Sequence, residues 1–527
     1  IRDDFFRLGG NSILAIRLIN TLKQELNLNI SIAAIFTNNN IDKLSYYLEN
    51  NSATELIIKP ITVTKAQEQL LSFAQERLWF IDKYEEGTNI YNIPLIYSIS
   101  EEVKTEVLWQ SIISIVDRHE ILRTLIYEDR NGHGYQVSTE LQAANLVKNE
   151  KVVFTAAELE SLLSIEANHI FNLSQEYPIR ACIYILQDAN SNAIMGRYLS
   201  LVIHHIAFDG WSVGIFLKEL AEFYRHKRAI AKEEASELGL PALAIQYKDF
   251  ALWQREYLTG VRLQEQIGYW KDKLLGYEPL NLITDKPRPA YVDYSGNEVF
   301  FTIDKDISQN LRLLAKELQV SLYSVLLSAY YLMLQSYTAQ DDLIIGSPIA
   351  NRHYAQIENL VGFFVNSIAL RVKVAPDILL RDFIKLVGKE VIAAQLHQDL
   401  PFEKLVEELE VIKDVSRHPI FQVMFGVQTE VGTEIRLADG CIKSYKTTTN
   451  VYNVAKFDLS TFIDDSQVTL TGVFNYATSL YKEETIKRLI VTYQEILVQF
   501  AILATDLNKQ TSIKVLDLRY LTEEEYR

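Results

Sequence analysis

Residues 197–210 read Arg-Tyr-Leu-Ser-Leu-Val-Ile-His-His-Ile-Ala-Phe-Asp-Gly. The apolar run before the two histidines is typical of a buried strand. The closing Asp-Gly pair predicts a turn and then a helix over residues 211–228. His204 and His205 therefore stand where a strand gives way to a helix, and we expect the chemistry of the chain at this point.

Neighbouring side chains on a strand point to opposite faces, so at most one of His204 and His205 is expected to face a substrate. From these residues alone two interpretations stay open. One is a catalytic site, and the other is a pair of buried histidines beside an aspartate, Asp209, that caps the helix.

Composition narrows the possible partners of the chain. A length of 527 residues predicts more than one domain. The formal net charge of -16 argues against sequence-independent binding of nucleic acid and against an anionic membrane surface. Cys182 and Cys441 are too few for a disulfide framework or a cysteine-based metal site, so we expect a reducing cytoplasm and no metal.

No apolar stretch is long enough for a membrane helix, and the first residues do not form a signal peptide. The chain opens at Ile1 in the middle of a motif, without an initiator Met. We therefore expect a soluble protein, and a piece of a longer one.

Hydrophobic periodicity separates a small helical unit from a larger α/β region. Helices and strands alternate in two similar series, which predicts two α/β lobes, and in the second series one long helix is predicted over 307–337. The expected units are a helical domain over 1–50, a polar linker over 51–67, an N-terminal lobe over 68–238, a C-terminal lobe over 239–504 and an exit segment over 505–527.

Near the N-terminus, residues 8–12 read Leu-Gly-Gly-Asn-Ser and place Ser12 at the start of a helix. A serine here is an ordinary N-cap after flexible glycines. The same position also exposes a hydroxyl at a helix N-terminus, whose partial positive charge suits a phosphodiester.

Residues 4–13, Asp-Phe-Phe-Arg-Leu-Gly-Gly-Asn-Ser-Ile, closely resemble the phosphopantetheine attachment motif of peptidyl carrier domains in nonribosomal peptide synthetases. Asn11 departs from the His or Asp usual in the family. The resemblance implies an N-terminally truncated, all-α carrier domain with 4'-phosphopantetheine attached covalently to Ser12.

The remainder, about residues 71–503, resembles a condensation domain of the same synthetases. The resemblance rests on eight segments in the family's order, of which His-His-Ile-Ala-Phe-Asp-Gly is the signature. The others are Ser-Phe-Ala-Gln-Glu-Arg-Leu-Trp (72–79), Arg-His-Glu-Ile-Leu-Arg-Thr (118–124), Tyr-Lys-Asp-Phe-Ala-Leu-Trp-Gln (247–254), Ile-Gly-Ser-Pro-Ile-Ala-Asn-Arg (345–352), Val-Gly-Phe-Phe-Val-Asn-Ser (361–367), Gln-Asp-Leu-Pro-Phe-Glu (398–403) and Arg-His-Pro-Ile-Phe (417–421).

This resemblance implies an α/β domain of two chloramphenicol-acetyltransferase-like lobes that form a V, with the active site in a tunnel between them. Donor and acceptor carrier domains would approach from opposite ends, each with a thioester. The implied reaction is attack of the acceptor amine on the donor thioester, which forms a peptide bond.

The signature motif would supply the catalytic residues His204, His205, Asp209 and Gly210. We expect His205 to act on the substrate, either as a general base or by positioning the amine and stabilising the charged intermediate. His204 is expected to be structural. Asp209 is expected to pair with an arginine, with Arg123 as the candidate, and Gly210 to permit close backbone approach or a positive φ.

Further tunnel or structural positions are Arg77, Trp211, Asn366 and Ser347. Trp211 is expected to pack rather than to touch substrate. Asn366 and Ser347 either line the tunnel or form loop hydrogen bonds.

Four other activities compete with condensation. A heterocyclising relative would have Asp in place of His204, an epimerising relative would act on the Cα proton of a carrier-bound residue, a docking module would lose the core motif, and a free coenzyme A acyltransferase would need no carrier serine. Condensation fits the intact motif. Its expected partners are a downstream acceptor carrier, adjacent adenylation domains and a phosphopantetheinyl transferase, with the protein itself a monomer.

Overall fold

The computed structural model describes residues 38–50, 68–84, 87–142, 149–352, 354–411, 414–428 and 434–521, together with isolated positions among residues 1–35. Ser12 and the predicted linker over 51–67 lie outside the described residues. Among the N-terminal positions, a small apolar cluster contains Ala15, Ile19, Ile30, Ala34 and Ile35.

The described strands form three sheets. Their bounds are β1 (Glu68–Leu70), β2 (Asn92–Ile99), β3 (Thr124–Glu128), β4 (Gly134–Ser138), β5 (Asn149–Val153), β6 (Ile179–Gln187), β7 (Ile194–His204), β8 (Gly296–Ile303), β9 (Asp342–Ile349), β10 (Asn366–Lys373), β11 (Val423–Gln428), β12 (Glu434–Leu437), β13 (Gly440–Ser444), β14 (Leu459–Asp464) and β15 (Leu470–Ala477).

The described helices lie in the small N-terminal unit and in both lobes. They are α1 (Ile41–Asn50), α2 (Phe73–Tyr84), α3 (Thr105–Arg118), α4 (Ala156–Ala167), α5 (Gly210–Ala231), α6 (Tyr247–Tyr257), α7 (Gly260–Leu274), α8 (Lys305–Leu318), α9 (Leu322–Thr338), α10 (Leu380–Gln395), α11 (Phe402–Glu408), α12 (Glu483–Leu503) and α13 (Leu507–Ser512), with short 3-10 turns at Glu120–Arg123, His205–Ala207, Ala355–Ile357 and Val515–Asp517.

The N-terminal lobe is built on a six-stranded mixed sheet of order β12-β13-β2-β7-β6-β5. β7 lies inside this sheet, antiparallel to β2 and to β6, and its last six residues are buried. A strand with neighbours on both sides and helices over the sheet has a mostly apolar sequence, and residues 198–203 are apolar except for Ser200. The predicted buried strand ending at His204 is confirmed.

The C-terminal lobe has a second six-stranded mixed sheet, of order β10-β9-β11-β14-β15-β8. β9, β11 and β14 are parallel neighbours, whereas the flanking strands are antiparallel. Its core is a separate apolar cluster that includes the buried face of α9 and α12. Two α/β lobes with sheets of equal size confirm the predicted fold class.

The single helix predicted over 307–337 is wrong, because the chain turns sharply between α8 and α9. Gln319 adopts a left-handed conformation with φ 62° and ends α8. The Ser321 side chain accepts a hydrogen bond from the Ser324 backbone N–H and caps α9. Apolar periodicity continues across this corner, so the pattern alone could not reveal it.

Two segments from the second half of the chain belong to the N-terminal lobe. The β12-β13 hairpin extends its sheet by pairing with β2. Ile357, Leu360, Val361 and Phe364 are buried in its core. These crossings join the two lobes through main-chain hydrogen bonds and apolar packing.

The predicted exit segment packs back onto the C-terminal lobe as far as Leu518, since Val515 and Leu518 are buried in its core. Among the described helices, no single one is long and apolar enough to cross a membrane, and the α8–α9 pair that would pass by length and composition is bent by 106°.

Candidate active site

The motif His-His-Ile-Ala-Phe-Asp-Gly occupies the end of β7, a 3-10 turn and the start of α5. Asp209 is the N-cap of α5, and its side chain accepts a hydrogen bond from the Ser212 backbone N–H at 2.9 Å. The predicted strand-turn-helix unit is therefore confirmed. The two histidines differ in setting because His204 is the last strand residue and His205 opens the turn.

His204 is completely buried. Its Nδ1 accepts a hydrogen bond from the Ile206 backbone N–H at 3.1 Å, and its ring meets the ring of Phe171 edge-on, with centroids 5.8 Å apart. Burial, and then the positive charge of Lys456, lowers the pKa of His204 to about 3. His204 is thus a neutral histidine that shapes the turn, in line with its expected structural role.

His205 retains partial exposure and packs edge-on against Phe363, with ring centroids 5.0 Å apart. Its backbone N–H donates to the carbonyl of Tyr91 at 2.7 Å, which fixes the turn to the segment before β2. Nδ1 is buried and has no hydrogen-bond partner among the described residues. Burial, followed by the charge of Lys456, holds the pKa of His205 well below its usual 6.5, so the imidazole is neutral.

Asp209 pairs with Arg352, and the expected pairing with Arg123 is wrong. The Arg352 guanidinium donates to both carboxylate oxygens at 2.9 and 3.2 Å, and both side chains are almost completely buried. The Phe364 backbone N–H donates to Asp209 at 3.0 Å. Arg123 instead donates to the carbonyls of Thr139 and Asp117.

Arg352 also holds the crossing segment in place. Its guanidinium donates to the carbonyls of Ile357 and Leu360 at 2.9 and 2.5 Å, and it lies over the ring of Phe364 at 4.1 Å. Arg352 is the last residue of the family segment 345–352, and no role is predicted for it from the sequence. Its position in a shared motif indicates that it is important, but the motif does not indicate a pairing with a residue 143 positions away.

Gly210 does not have a positive φ, so that half of its expected role is wrong. An added Cβ would meet nothing within 4 Å, which leaves open space beside the backbone at the start of α5. The Trp211 Nε1–H donates to the carbonyl of Glu358 at 3.1 Å, so this side chain fixes the crossing segment.

Asn366 acts as a clamp between loops. Its Nδ2 donates to the carbonyls of Gln398 and Leu400 at 2.9 and 2.8 Å, and its Oδ1 accepts from the Phe402 backbone N–H at 3.1 Å. Ser347 is buried and accepts a hydrogen bond from the Tyr323 hydroxyl at 2.7 Å. Asn366 and Ser347 were each predicted either to line the tunnel or to form hydrogen bonds within the protein. The geometry of both residues matches hydrogen bonding.

Arg77 connects the lobes. From α2 of the N-terminal lobe it forms an ion pair with Glu403 at 2.9 Å and a hydrogen bond with His418 Nε2 at 3.1 Å, both in the C-terminal lobe. Burial and then the nearby charge of Arg77 lower the pKa of His418 to about 3, so His418 accepts as a neutral ring. The following Ile420 has φ 67°, an uncommon conformation for a β-branched residue, and it turns the chain at this contact.

A second buried charged cluster, formed by Arg118, His119 and Glu219, holds α5 in place. Glu219 of α5 accepts from Arg118 at 2.9 Å and from His119 Nε2 at 2.8 Å. His119 Nδ1 in turn accepts from the Val361 backbone N–H at 3.3 Å. Arg118 and His119 therefore support α5 and the crossing segment together.

Lys456 is a site residue that sequence reasoning missed. It lies in the C-terminal lobe just before β14, and its Nζ lies 5.1 Å from the centre of the Tyr91 ring in the N-terminal lobe. Burial and then Arg77 lower the pKa of Lys456 to about 8. One lysine in a strand-leading segment gives no signal in the sequence.

A cavity of about 360 Å³ lies between the lobes beside Tyr91. Its walls come from both lobes and are mostly polar. They comprise Thr88, Asn89, Ile90, Ser164 and Asn168 from the N-terminal lobe, and Asp293, Tyr294, Ser295, Asn450, Val451, Asn453 and Val454 from the C-terminal half.

The comparison with protein families agrees with this architecture. Residues 65–518 match the condensation domain model, and residues 1–48 match the phosphopantetheine attachment site model. The chain therefore belongs to the condensation domain family and is an amide-bond-forming acyltransferase of the kind found in nonribosomal peptide synthetases. Its N-terminal part is a carrier unit that bears 4'-phosphopantetheine on a serine.

The curated relatives are much longer than this chain. N-(5-amino-5-carboxypentanoyl)-L-cysteinyl-D-valine synthase of Amycolatopsis lactamdurans is 37% identical over 95% of the chain, which spans 13% of that relative. Malpinin synthetase of Mortierella alpina is 33% identical over 92% of the chain, which spans 6% of it.

Among solved structures, the X-domain from teicoplanin biosynthesis superposes with a TM-score of 0.75. The two share 23% sequence identity, and the match covers 88% of this chain and all of the X-domain chain. At that identity the likeness establishes the shared fold alone.

Proposed function

We propose that the protein forms a peptide bond between a donor acyl group held on a carrier and the amine of an aminoacyl group on a downstream acceptor carrier. The observation that carries this is the intact signature motif, with His205 partly exposed at the turn and Asp209 paired with Arg352. Condensation is favoured over epimerisation because residues 65–518 match the condensation domain model and the similar proteins are synthetases.

The attachment residue in this proposal is Ser12, the serine within the matched motif. Its hydroxyl suits the phosphodiester of 4'-phosphopantetheine, which presents an acyl group as a thioester with a readily attacked carbonyl. Adjacent adenylation domains would supply the loaded substrates, and a phosphopantetheinyl transferase would install the group. We expect the protein to act as a monomer in the cytoplasm.

For His205 the geometry favours positioning over proton removal. A general base is most effective when its pKa is near the working pH, whereas burial and Lys456 hold the pKa of His205 well below 6.5. A neutral imidazole can still accept a hydrogen bond from the acceptor amine. Since a free α-amine has a pKa of about 8, a useful fraction is already neutral at physiological pH.

Gly210 and the buried ion pair of Asp209 and Arg352 complete the proposed site. Open space beside Gly210 leaves room for substrate at the start of α5, where the partial positive charge of the helix N-terminus would favour a developing negative charge. Asp209 and Arg352 hold that helix start against the crossing segment. These residues would position the reacting groups, and positioning lowers the barrier of a reaction between two bound groups.

The decisive experiment is intact-protein mass spectrometry of a loaded acceptor carrier after mixing with the donor-loaded protein. A gain of one donor acyl group is expected, and the absence of any gain would overturn the proposal in favour of a docking module or an epimerase. Ser12→Ala should abolish loading by a phosphopantetheinyl transferase, whereas labelling at another residue would refute the attachment site.

The role of His205 can be separated with two variants. His205→Ala should slow single-turnover condensation about 100-fold or more. His205→Asn, which keeps a hydrogen-bonding group without a base, should recover about tenfold of that loss. Equal rates for the two variants would indicate proton transfer by His205, and an unchanged rate in His205→Ala would remove it from the mechanism.

A further inference from the structure

Lys456 is a half-buried cation near His205 that has no carboxylate partner among the described residues. Lys456 forms no ion pair or hydrogen bond within the part of the chain that the structure describes, and its contact there is with the face of the Tyr91 ring. The neighbouring cation, Arg77, already pairs with Glu403. A largely enclosed charge without a partner is costly, so its presence needs a reason.

The backbone around Lys456 is held firmly, which fixes where its side chain can reach. The preceding Ala455 N–H donates to the carbonyl of Tyr294 at 2.9 Å. Two residues later, Asp458 forms an ion pair with Arg288, and its N–H donates to the carbonyl of Gln422 at 3.0 Å. Lys456 therefore projects from a rigid edge of the C-terminal lobe toward the N-terminal lobe.

The groups that face Lys456 come from the N-terminal lobe and, among the described residues, none is an anion. They are Arg77 on α2, Tyr91 before β2, and His204 and His205 at the end of β7. Tyr91 links this cation to the catalytic turn, because its ring faces Lys456 while its carbonyl accepts the His205 backbone N–H at 2.7 Å.

Substrate chemistry supplies the missing negative charge. The acceptor amine and the donor thioester are neutral when they meet. When the amine nitrogen forms its bond to the carbonyl carbon, the carbonyl electron pair moves to oxygen and creates an oxyanion. Collapse then expels the thiolate, and the proton from nitrogen ends on the sulfur, with no oxidant or reductant needed.

We propose that Lys456 is a catalytic residue whose ammonium donates a hydrogen bond to this oxyanion. The inference rests on the proposed condensation function. The positive charge of Lys456 would stabilise the negatively charged transition state but not the neutral ground state. An interaction that is stronger in the transition state than in the ground state raises the rate. A preorganised donor in a site of low dielectric commonly contributes a factor of about 100 to 1,000.

The same cation also acts on the histidines. Its charge adds to burial in keeping His204 and His205 neutral, so that His205 accepts a hydrogen bond from the amine. One residue thus stabilises the developing negative charge and preserves the neutral ring that holds the nucleophile.

The test compares three variants in single-turnover condensation with loaded carriers. Lys456→Gln should be about 100-fold slower or more, Lys456→Arg should remain within about tenfold of the wild type, and Lys218→Gln, at an exposed lysine of α5, should be unchanged. If the wild type condenses and Lys456→Gln matches its rate within about twofold, the role of Lys456 is refuted. If the wild type itself does not condense, the proposed function fails instead.

Binding gives a readout that does not depend on turnover. A dipeptide phosphonate, whose anionic oxygen stands in for the oxyanion, should bind Lys456→Gln about 30-fold more weakly than the wild type by calorimetry. The uncharged dipeptide amide should bind both equally. Equal phosphonate affinity in the two proteins would overturn the proposal.

If Lys456→Gln proves unstable, the pH dependence of the condensation rate tests the role of Lys456 instead. The pKa of Lys456 is lowered to about 8, so its charge is present below that pH and lost above it. The ratio of wild-type to Lys456→Arg rates should therefore fall between about pH 7.5 and 9.5, because arginine stays charged. The acceptor amine titrates identically in both proteins and cancels in the ratio, so a constant ratio would contradict the proposal.

Discussion

Replacing Arg352 by Met should strongly destabilise the N-terminal lobe, because it leaves a buried carboxylate without its counter-ion. The Arg352 side chain is fully buried and that of Asp209 is 2% exposed. Removing one member of a buried ion pair typically costs about 3–5 kcal/mol.

The contacts of Asp209 set where in that range the loss should fall. Three hydrogen bonds to Asp209 survive in the variant, from the Ser212 N–H, the Ser212 hydroxyl and the Phe364 N–H. These hydrogen bonds reduce the free-energy cost of removing the positive charge of Arg352. However, the carbonyls of Ile357 and Leu360 each lose a hydrogen bond from Arg352, at about 1 kcal/mol each. We therefore expect a loss of about 4 kcal/mol.

The assay is urea unfolding followed by tryptophan fluorescence, carried out on a double-mutant cycle. Asp209→Asn combined with Arg352→Met should recover about 2 kcal/mol relative to the sum of the single losses. Arg123→Met is the matched control, and it should cost about 1–2 kcal/mol and show no coupling to Asp209→Asn. Coupling of Arg123 rather than Arg352 to Asp209, or a loss below about 1 kcal/mol for Arg352→Met, would refute the pairing.

Three further outcomes can be measured by thermal unfolding. Gly346→Ala should destabilise the C-terminal lobe by at least about 2 kcal/mol, because the new Cβ would overlap the Phe421 ring; an unchanged melting temperature would contradict the packing. Glu160 accepts hydrogen bonds from Thr448 and its neighbour, which lower the Glu160 pKa to about 2. The stabilising effect of the Glu160 carboxylate is therefore complete above pH 4.5 and lost as the pH falls through 2. Glu160→Gln should lower the melting temperature at neutral pH and lower it less near pH 3. An equal decrease at both pH values would argue against this linkage. Lys456→Met should raise stability at neutral pH by about 2–3 kcal/mol, since a pKa lowered from 10.5 to about 8 means that burial disfavours the charge; a less stable variant would show that the lysine is structural.

Local structure at the site was predictable because its causes are local. An apolar run followed by polar residues marks the end of a buried strand, and an aspartate before a helix satisfies its first N–H groups. Those rules placed the end of β7 at His204 and the start of α5 after Asp209, as the structure confirms. The same rules missed the corner at Gln319, because apolar spacing does not register a left-handed residue.

The pairings across the site were not predictable in the same way. Arg123 was expected at Asp209 from the proximity of family motifs, yet Arg352 occupies that position because residues 352–364 cross into the N-terminal lobe. Lys456 and Arg77 approach each other from different lobes. Such contacts depend on how the two lobes pack against each other, which no pattern of neighbouring residues encodes.

The sequence by itself determined the class of the protein, the two α/β lobes, the attachment motif around Ser12 and the strand-turn-helix unit that presents His205. Each follows from short-range periodicity, capping or a shared motif. Only the tertiary structure decided which charges meet. It joined Asp209 to Arg352 and brought Lys456 close to the turn at His205 without a counter-ion among the described residues, because the energy of a buried charge depends on its whole surroundings and not on its neighbours in the chain.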